Sequence, residues 1–381
     1  MQLPKLYSEY LNQYFDTKQL LLLEMLVCQL QIYKKMTIEG LATHLVMPIL
    51  LESKRKRIQR FLKLEEFSEK KLWLGLIKKI IQKKIPPRER IYLAIDRTQW
   101  KDRNIFYIGI IIDKRAYPII WEILSKKGAS NLEEQKKLIR PVIEEFKESE
   151  IVILGDREFH GVELAKWLDA QGVIYVLREK KELQIKEKGS DYQRIDAREI
   201  KPGIKEYLTS VTLVKERGFE KGNVIVYWKR QYRGKGEKEA WYLLTNLASL
   251  EEGIEAYQKR MGIEEMFKDF KKGGYNLEDC QASEQRLNAL LTLIAIAYTI
   301  SSLKGKKIKS SRQAKYVGRQ RNVKNRLTQN SYFKLGLYGQ IISNSSQILH
   351  DLAQKLMNLT PQKRLFYLKG IRAINLIQHA F

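Results

Sequence analysis

The stretch from residue 90 to residue 180 constrains the fold most, because its hydrophobic pattern alternates between strands and helices. Three apolar segments joined by short turns predict strands at 90–96, 104–112 and 116–124. The following segments predict a helix, a strand, a second helix and a last strand, at 131–148, 151–156, 161–172 and 173–179. A continuous apolar strand such as 151–156 is typical of a sheet covered on both faces. The chain is therefore expected to be an α/β protein.

This order of elements is that of a ribonuclease H-like core. Further strand-like segments lie between polar, glycine-rich stretches after residue 180 and predict an all-β insertion. The sequence thus predicts a ribonuclease H-like catalytic core with an all-β insertion, flanked by helical N- and C-terminal regions. The expected regions are a helical domain at 1–85, the core at 86–180 and 246–303, the β-rich insertion at 181–245, and a basic, helical C-terminal region at 304–381.

The charge balance indicates a polyanionic partner. The 381 residues include 70 Lys and Arg against 44 Asp and Glu, which gives a formal net charge of +26. Nucleic acid is the first candidate, because basic residues that neutralise phosphates release condensed counterions. An anionic membrane surface is the alternative, but the chain has no lipidation motif and no basic tail beside a membrane span.

The remaining composition favours a reducing, intracellular setting. The N-terminal residues do not have the pattern of a secretory signal. The apolar run at 287–300 is shorter than the roughly 20 residues of a membrane span and predicts a buried helix. Only Cys28 and Cys280 are present, and neither belongs to a CxxC pair, which excludes a disulfide framework and a zinc ribbon. A cytoplasmic protein is expected.

Two aspartates follow predicted strands and are candidate metal ligands. Asp96 lies in AIDRTQWK and Asp156 in ILGDREFHG, each at the end of its strand. Ligands of open α/β sheets gather beyond the carboxyl ends of strands, so the two carboxylates converge if the strands are neighbours. Glu264 supplies a third carboxylate, and such oxygen ligands suit Mg²⁺ or Mn²⁺. Alternatively, Asp96 is a turn residue and Asp156 a helix N-cap.

The predicted helix at 251–273 carries a polar stripe. Tyr257, Arg260, Glu264 and Lys271 follow one another at steps of three, four and seven, which places them within roughly 60° on a helix. A neighbouring arc is apolar and consists of Ile263, Met266, Phe267 and Phe270. The alternative is a solvated amphipathic helix whose charges pair along its surface.

These residues resemble those of DDE-type transposases of bacterial insertion sequences. The resemblance is to the subgroup whose third-acid helix carries Y-(2)-R-(3)-E-(6)-K, which Tyr257, Arg260, Glu264 and Lys271 match at every spacing. The stretch AIDRTQWK resembles the first-acid motif and GDREFHG the second. The matching residues are Asp96, Thr98 and Lys101 in the first, and Asp156, Arg157 and Phe159 in the second. The resemblance is strong over about 90–300.

The resemblance implies cut-and-paste chemistry with Mg²⁺, for which Mn²⁺ substitutes. Water nicks one strand, the freed 3′-hydroxyl forms a hairpin on the other, a second hydrolysis opens the hairpin, and the end joins target DNA. Asp96, Asp156 and Glu264 would hold the metal, and the partners would be terminal inverted repeats, target DNA and a second copy of the chain. The expected setting is the bacterial nucleoid.

The resemblance also implies DNA-binding side chains. Tyr257, Arg260 and Lys271 would hold phosphates around the scissile bond, and Thr98, Lys101 and Arg157 accompany the acids. Trp241, in AWYLLT, matches a tryptophan that stacks on a flipped base in relatives. The alternative for Trp241 is a core residue on a strand.

The N-terminal region predicts a DNA-reading element. The segment 37–45 has the pattern of a short helix in a helix-turn-helix, with Thr37 as its N-cap. The following segment, 51–67, carries Lys54, Arg55, Arg57 and Arg60, which is typical of a helix in the major groove or of a solvated charged helix. The basic stretch 304–326 is expected to be flexible or to contact DNA.

Two other functions remain open from the sequence. One is a DNA-binding descendant that no longer transposes, and the other is a metal-dependent nuclease of the same fold. The intact acids and the Tyr-Arg-Glu-Lys pattern favour the transposase. His160 has no partner at metal-ligand spacing and is expected to be a supporting or loop residue.

Overall fold

The computed structural model describes residues 3–198, 200–213, 219–230, 239–319, 330–344, 354–355, 358 and 361–379. The chain divides into two compact units. The first, called the helical unit here, consists of Met1–Leu76 and Lys268–Phe381. The second, called the sheet unit, consists of Ile77–Phe267. The fold is a mixed α/β structure with one large sheet and many helices.

The helices described are α1 (Lys5–Leu11), α2 (Thr17–Tyr33), α3 (Ile38–His44), α4 (Leu51–Phe61), α5 (Leu74–Gln82), α6 (Leu132–Glu145), α7 (Val162–Ala170), α8 (Leu250–Lys259), α9 (Met261–Phe270), α10 (Glu284–Ser310), α11 (Ala314–Val317), α12 (Tyr332–Ser343) and α13 (Arg364–Gln378). The strands are β1 (Arg90–Trp100), β2 (Arg103–Ile112), β3 (Arg115–Leu124), β4 (Glu150–Gly155), β5 (Ile174–Arg178), β6 (Gln184–Lys186), β7 (Gln193–Arg194), β8 (Lys205–Leu213), β9 (Phe219–Tyr227) and β10 (Trp241–Thr245).

All ten strands form one sheet in the order β3-β2-β1-β4-β5-β10-β9-β8-β6-β7. The strands β1, β4 and β5 run parallel, whereas β2 and β3 pair antiparallel on one side. The strands between residues 181 and 245 extend the same sheet antiparallel from β5. The predicted succession of three strands, helix, strand, helix and strand is observed, since apolar runs mark strands covered on both faces.

The first strand is longer than its apolar pattern predicts. Its antiparallel pairing with β2 continues to the pair Trp100 and Arg103, so β1 ends at Trp100 and Asp96 lies inside it. The prediction that Asp96 ends its strand is therefore wrong. The cause is the hairpin partner, which supplies hydrogen bonds to residues too polar to be recognised as a strand.

Helix α8 covers one face of the sheet. A core cluster joins α8 to β4, β5, β9 and β10, and its members are Val152, Leu154, Val176, Ile225, Leu243, Leu247, Ile254, Ala256 and Tyr257. A Cβ on Gly253 would lie 2.3 Å from the Ile225 side chain, so the helix approaches β9 closely where it lacks a side chain. The packing fixes the face of α8 that carries Tyr257 against the sheet.

The predicted helix at 251–273 is observed as two helices, α8 and α9. The residue between them, Arg260, keeps right-handed helical angles, with φ −53° and ψ −33°. Tighter hydrogen bonds accompany the interruption: the Arg260 N–H donates to the Tyr257 carbonyl and the Ile263 N–H to the Arg260 carbonyl, both at 3.0 Å. The chain path therefore continues through Arg260, with locally tightened turns.

The helical unit is built around α10. The buried Gln31 of α2 donates to the Ala297 carbonyl at 3.1 Å and to the Ser301 hydroxyl at 2.9 Å. Helices α10 and α12 touch at glycines, since a Cβ on Gly305 or Gly336 would meet backbone at 1.7 or 1.9 Å. Within the described part of the chain, only α10 has the length and hydropathy of a membrane span, and 89% of its most apolar window is buried in the protein.

The N-terminal helices agree with their sequence signals. Helix α3 begins after Thr37, whose hydroxyl accepts a hydrogen bond from the Gly40 N–H at 3.0 Å, as its N-cap pattern predicts. Of the basic stretch 304–326, residues 304–310 belong to α10 and 314–317 form α11. Residues 320–326 lie outside the described residues.

Candidate active site

The two candidate aspartates lie side by side at one edge of the parallel ladder. Strands β1 and β4 are parallel neighbours, and their last backbone pair is Ile95 with Gly155. Asp96 is the next residue of β1, and Asp156 directly follows the end of β4. Because both residues come directly after the last pair of the β1–β4 ladder, the structure brings their carboxylates to the same end of the two strands.

Each aspartate is held by a backbone N–H. The Arg97 N–H donates to Asp96 Oδ1 at 2.7 Å, and the Glu158 N–H donates to Asp156 Oδ1 at 2.8 Å. Asp156 thereby caps the short 3₁₀ turn Arg157–Phe159. The N-cap interpretation of Asp156 therefore describes part of its role in the structure, since the cap uses only one of its two carboxylate oxygens.

Arg260 links the third candidate acid to the first. Its Nη1 donates to Asp96 Oδ2 at 3.2 Å, and its Nη2 donates to Glu264 Oε1, one helical turn further along. The guanidinium also lies 5.7 Å from the ring centroid of Tyr257. Arg260 is 7% exposed and Tyr257 3%, so this half of the polar stripe is buried, whereas Glu264 is exposed. The solvated-helix alternative does not fit the first two residues.

The electrostatics of the site centre on Asp96, which is 9% exposed. Burial, first of all, and the negative charges of Asp156 and Glu264 raise the pKa of Asp96 to about 7. The Arg260 charge and the Arg97 N–H act in the opposite direction. The carboxylates thus repel one another, which is the condition that a bound cation relieves.

The donor set fits a hard divalent cation by ligand type, since all three candidates are carboxylates. Asp96 and Glu264 are held apart by the intervening guanidinium of Arg260. Over the residues that the structure describes, no three His, Cys, Asp or Glu side chains gather closely enough to hold an ion. Binding would therefore require Arg260 to release at least one of the two acids.

Trp241 lies beside the buried end of the stripe. It is partly buried at the start of β10, and its ring meets that of Tyr257 edge to face, with centroids 4.9 Å apart. A second edge contact, with Tyr227, has centroids 5.5 Å apart. The structure thus brings Trp241 together with Tyr257, and part of its surface stays accessible.

Three polar residues that accompany the acids in the motifs occupy different environments. Thr98 is buried on β1, where it pairs with Ile105 of β2. Lys101 lies exposed in the turn after β1, with φ 52°. The Arg157 guanidinium forms an ion pair with Glu239. Lys101 and Arg157 are therefore the two whose side chains reach the surface.

The other candidate DNA-binding residues belong to the helical unit. Lys271 lies 3.6 Å from Glu278 in an ion pair. Lys54, Arg55, Arg57 and Arg60 lie on α4, where Arg55 pairs with Glu52 at 2.7 Å and with Glu39 at 3.0 Å. The exposed residues Arg57 and Arg60 leave α4 with a basic surface.

His160 ends the turn that follows the second aspartate. Its ring Nδ1 forms a 2.7 Å hydrogen bond to the Arg157 carbonyl. Burial and the positive charge of Lys180 lower the pKa of His160. The contacts are those of a loop histidine.

Sequence reasoning missed an ion pair between the two acid motifs. The Arg97 Nε donates to both carboxylate oxygens of Glu158, at 2.7 and 2.9 Å. A signal was present, because each residue lies within two positions of a candidate aspartate and their charges are opposite. It also missed Glu179, a buried carboxylate that accepts the Gly161 N–H at 3.1 Å.

Comparison with known proteins finds a matching family. Residues 93–300 match the family described as the transposase DDE domain, and that range contains all three candidate acids. No curated protein matches the sequence at a significant level. A similar solved structure is the cryo-EM structure of the piggyBac transposase synaptic complex with hairpin DNA, at 14% identity over 93% of this chain and 80% of that chain. Its TM-score of 0.39 does not establish a shared fold. Since the matched range spans more than half of the 381 residues, the chain belongs to the DDE transposase family.

Proposed function

We propose that the chain is a cut-and-paste transposase of the subgroup defined by the Tyr-Arg-Glu-Lys pattern. It binds terminal inverted repeats, cleaves them by metal-dependent phosphoryl transfer through a DNA hairpin, and joins the element to target DNA. The observation that carries the proposal is the pairing of Ile95 with Gly155, because it brings Asp96 and Asp156 to one edge of the sheet. The Arg260 bridge from Asp96 to Glu264 adds the third acid.

The fold supports this proposal at the level of strand order. The strand order β3-β2-β1-β4-β5, with β1, β4 and β5 parallel, is the order expected of a ribonuclease H-like core. In the proposed organisation, residues 86–180 and 246–303 form this core and 181–245 a β-rich insertion. Residues 1–85 would bind DNA, and 304–381 would form the basic, helical C-terminal region.

Asp96, Asp156 and Glu264 would hold Mg²⁺, or Mn²⁺ in its place. When bound, the metal supplies Lewis-acid stabilisation of the phosphoryl group and lowers the pKa of the attacking water or 3′-hydroxyl. The backbone N–H groups of Arg97 and Glu158 orient the two aspartates for that task. Once Arg260 releases an acid, its planar fork is suited to hold the scissile phosphate.

The partners follow from charge and chemistry. The excess of 26 positive charges favours duplex DNA, and the basic surface of α4 is the proposed contact with the terminal repeats. Phosphate contacts would come from the accessible Lys101, Arg157 and Lys271, with Trp241 as a stacking platform. Tyr257 and Thr98 are buried, so they would reach a phosphate only after a rearrangement. A homodimer would hold two element ends in the synaptic complex, at the bacterial nucleoid.

The test is incubation of the full chain with its flanking terminal inverted repeats and Mg²⁺. End-labelled DNA is resolved into nicked, hairpin, excised and strand-transfer products. The proposal expects all four in that order of appearance. Nicked products without hairpin or joining would assign a nuclease, and tight binding to the repeats without cleavage would assign a DNA-binding descendant.

A further inference from the structure

The two candidate metal-binding aspartates are connected through a second pair of side chains. Arg97 follows Asp96 directly, and Glu158 lies two residues after Asp156. The Arg97 Nε bonds to both Glu158 oxygens, and both side chains are 15% exposed. Water and salt screen an ion pair in such an environment far less than one on the surface.

The main chain of the same two residues holds the aspartates. The Arg97 N–H donates to Asp96 and the Glu158 N–H to Asp156, at 2.7 and 2.8 Å. An unbroken series of contacts therefore runs from one carboxylate through Arg97 and Glu158 to the other. The ion pair therefore links the two residues whose backbone N–H groups hold the aspartates.

The ion pair between Arg97 and Glu158 is held in place by further hydrogen bonds to neighbouring residues. Arg97 Nη1 donates to Asn104 Oδ1 at 2.8 Å, and the fully buried Asn104 donates to the carbonyls of Lys126 and Gly128 at 2.8 and 2.9 Å. On the other side, the Ser130 N–H donates to Glu158 Oε1 at 3.2 Å. The loop before α6 thus supports both members, which favours a fixed geometry over a mobile surface pair.

We propose that Arg97 and Glu158 are positioning residues that set the separation of Asp96 and Asp156 for the divalent cation. The inference rests on the proposed function, because it presumes that both aspartates bind metal. Stability alone is a weak reason for such a pair, since a buried ion pair is often no more stabilising than apolar residues of similar volume. Groups that orient metal ligands typically change metal affinity about 10- to 100-fold when removed.

The experiment is a double-mutant cycle with Arg97→Met, Glu158→Gln and the double variant in the full chain. Mn²⁺ affinity is measured without DNA from the electron paramagnetic resonance signal of free Mn²⁺, alongside a melting curve. Each single variant is expected to bind Mn²⁺ about tenfold more weakly. The double variant is expected to bind no more weakly than the worse single variant, because both changes break one interaction.

The matched control is an ion pair between the opposite ends of the same two strands. Arg90 at the start of β1 pairs with Glu150 at the start of β4, and the two residues are partners in the parallel ladder. Arg90→Met and Glu150→Gln should lower the melting temperature and leave Mn²⁺ affinity unchanged. These two control variants distinguish a general loss of stability from a change in the geometry of the metal-binding aspartates.

Each outcome decides a different claim. Wild-type Mn²⁺ affinity in Glu158→Gln, which keeps the side-chain shape and an oxygen for Ser130, would overturn the positioning role even if Arg97→Met does not fold. Additive losses in the cycle would also overturn it. Wild-type Mn²⁺ affinity in Asp96→Asn would instead overturn the proposed metal site, and with it the proposed function.

Discussion

The guanidinium of Arg260 donates to the Asp96 carboxylate across 3.2 Å, although 164 positions separate the two residues in the chain. The same guanidinium bonds to Glu264. A positive charge therefore lies between two candidate metal ligands, where it offsets their repulsion.

Replacing Arg260 should make stability depend on a divalent cation. Arg260→Met leaves Asp96 without its buried partner, and loss of one member of a buried pair typically costs about 3–5 kcal/mol. We expect a lower melting temperature without metal and a larger increase on adding Mg²⁺ than in the wild type. Arg194→Met, which breaks an exposed pair with Asp196, is the control. Equal Mg²⁺ shifts in Arg260→Met and the wild type would show that the guanidinium does not occupy the cation's place.

Removing any one acid should abolish cleavage and leave binding to the element ends largely intact. Asp96→Ala, Asp156→Ala and Glu264→Ala each delete a proposed metal ligand without deleting a basic residue. The measurement is nicking of labelled end DNA together with a gel-shift titration. Glu255→Ala, at an exposed position on α8, is the control and should cleave normally. Near-normal nicking by one of the three variants would remove that residue from the site.

Stability should fall with rising pH because of the buried carboxyl of Glu179. Burial raises its pKa to about 7, although the Gly161 N–H and the Lys180 charge act against this. The unfolded chain has the ordinary glutamate pKa, near 4.3, so the folded state binds the extra proton between roughly pH 4 and pH 7. Stability from this group is complete below that window and is lost as pH rises through about 7.

The check compares Glu179→Gln with the wild type in melting curves at pH 5 and pH 8. Glutamine keeps an acceptor for Gly161 and does not ionise. The variant should gain in melting temperature relative to the wild type as pH rises. Glu182→Gln, three residues away and exposed, should show no such trend. A constant difference at both pH values would mean that Glu179 does not titrate in this range.

Trp241 should matter for the hairpin step more than for nicking. A tight hairpin forces a base out of the stack at a cost of a few kcal/mol, and an aromatic platform returns about 1–3 kcal/mol. Trp241→Ala should therefore spare first-strand nicking and depress hairpin formation or opening. A time course on end-labelled DNA separates these products.

The contacts of Trp241 with Tyr227 and Tyr257 give the structural alternative. A core tryptophan costs about 3–5 kcal/mol when truncated and would impair every step together. Trp241→Phe keeps an aromatic face and should restore hairpin products. Uniform loss of all products with a lowered melting temperature would assign Trp241 to the core alone.

Binding to the element ends should weaken steeply with salt. Several Lys and Arg side chains neutralise phosphates at once, so the logarithm of the binding constant should fall linearly with the logarithm of salt concentration. Arg57→Ala, on the exposed face of α4, should reduce that slope by about one phosphate contact. A flat dependence on salt would contradict DNA as the partner.

The strands could be predicted because buried strands have a recognisable hydrophobic pattern in the sequence. Strands covered on both faces are continuous apolar runs, and Asp156 directly follows such a run at 151–155. The convergence of Asp96 with Asp156 could be predicted conditionally, since it required only that β1 and β4 be parallel neighbours.

What could not be predicted depends on residues distant in sequence. The extension of β1 beyond Asp96 requires β2 as a partner, and the Arg97 pair with Glu158 joins residues 61 positions apart. A helical wheel placed Tyr257 and Arg260 on a polar ridge. Both residues are buried in the structure. A helical wheel shows which face of a helix is polar, but it does not show which neighbouring elements cover that face.

The position of Asp96 inside β1 has a consequence for how the site adapts to substrate. Backbone pairing with β4 reaches Ile95, and pairing with β2 continues on the other side to Trp100. Asp96 is therefore held by backbone pairing within the sheet, whereas Asp156 begins a short turn and Glu264 faces solvent from a helix. We therefore expect Glu264 to move most when the site binds metal and DNA, while Asp96 keeps its place in the sheet.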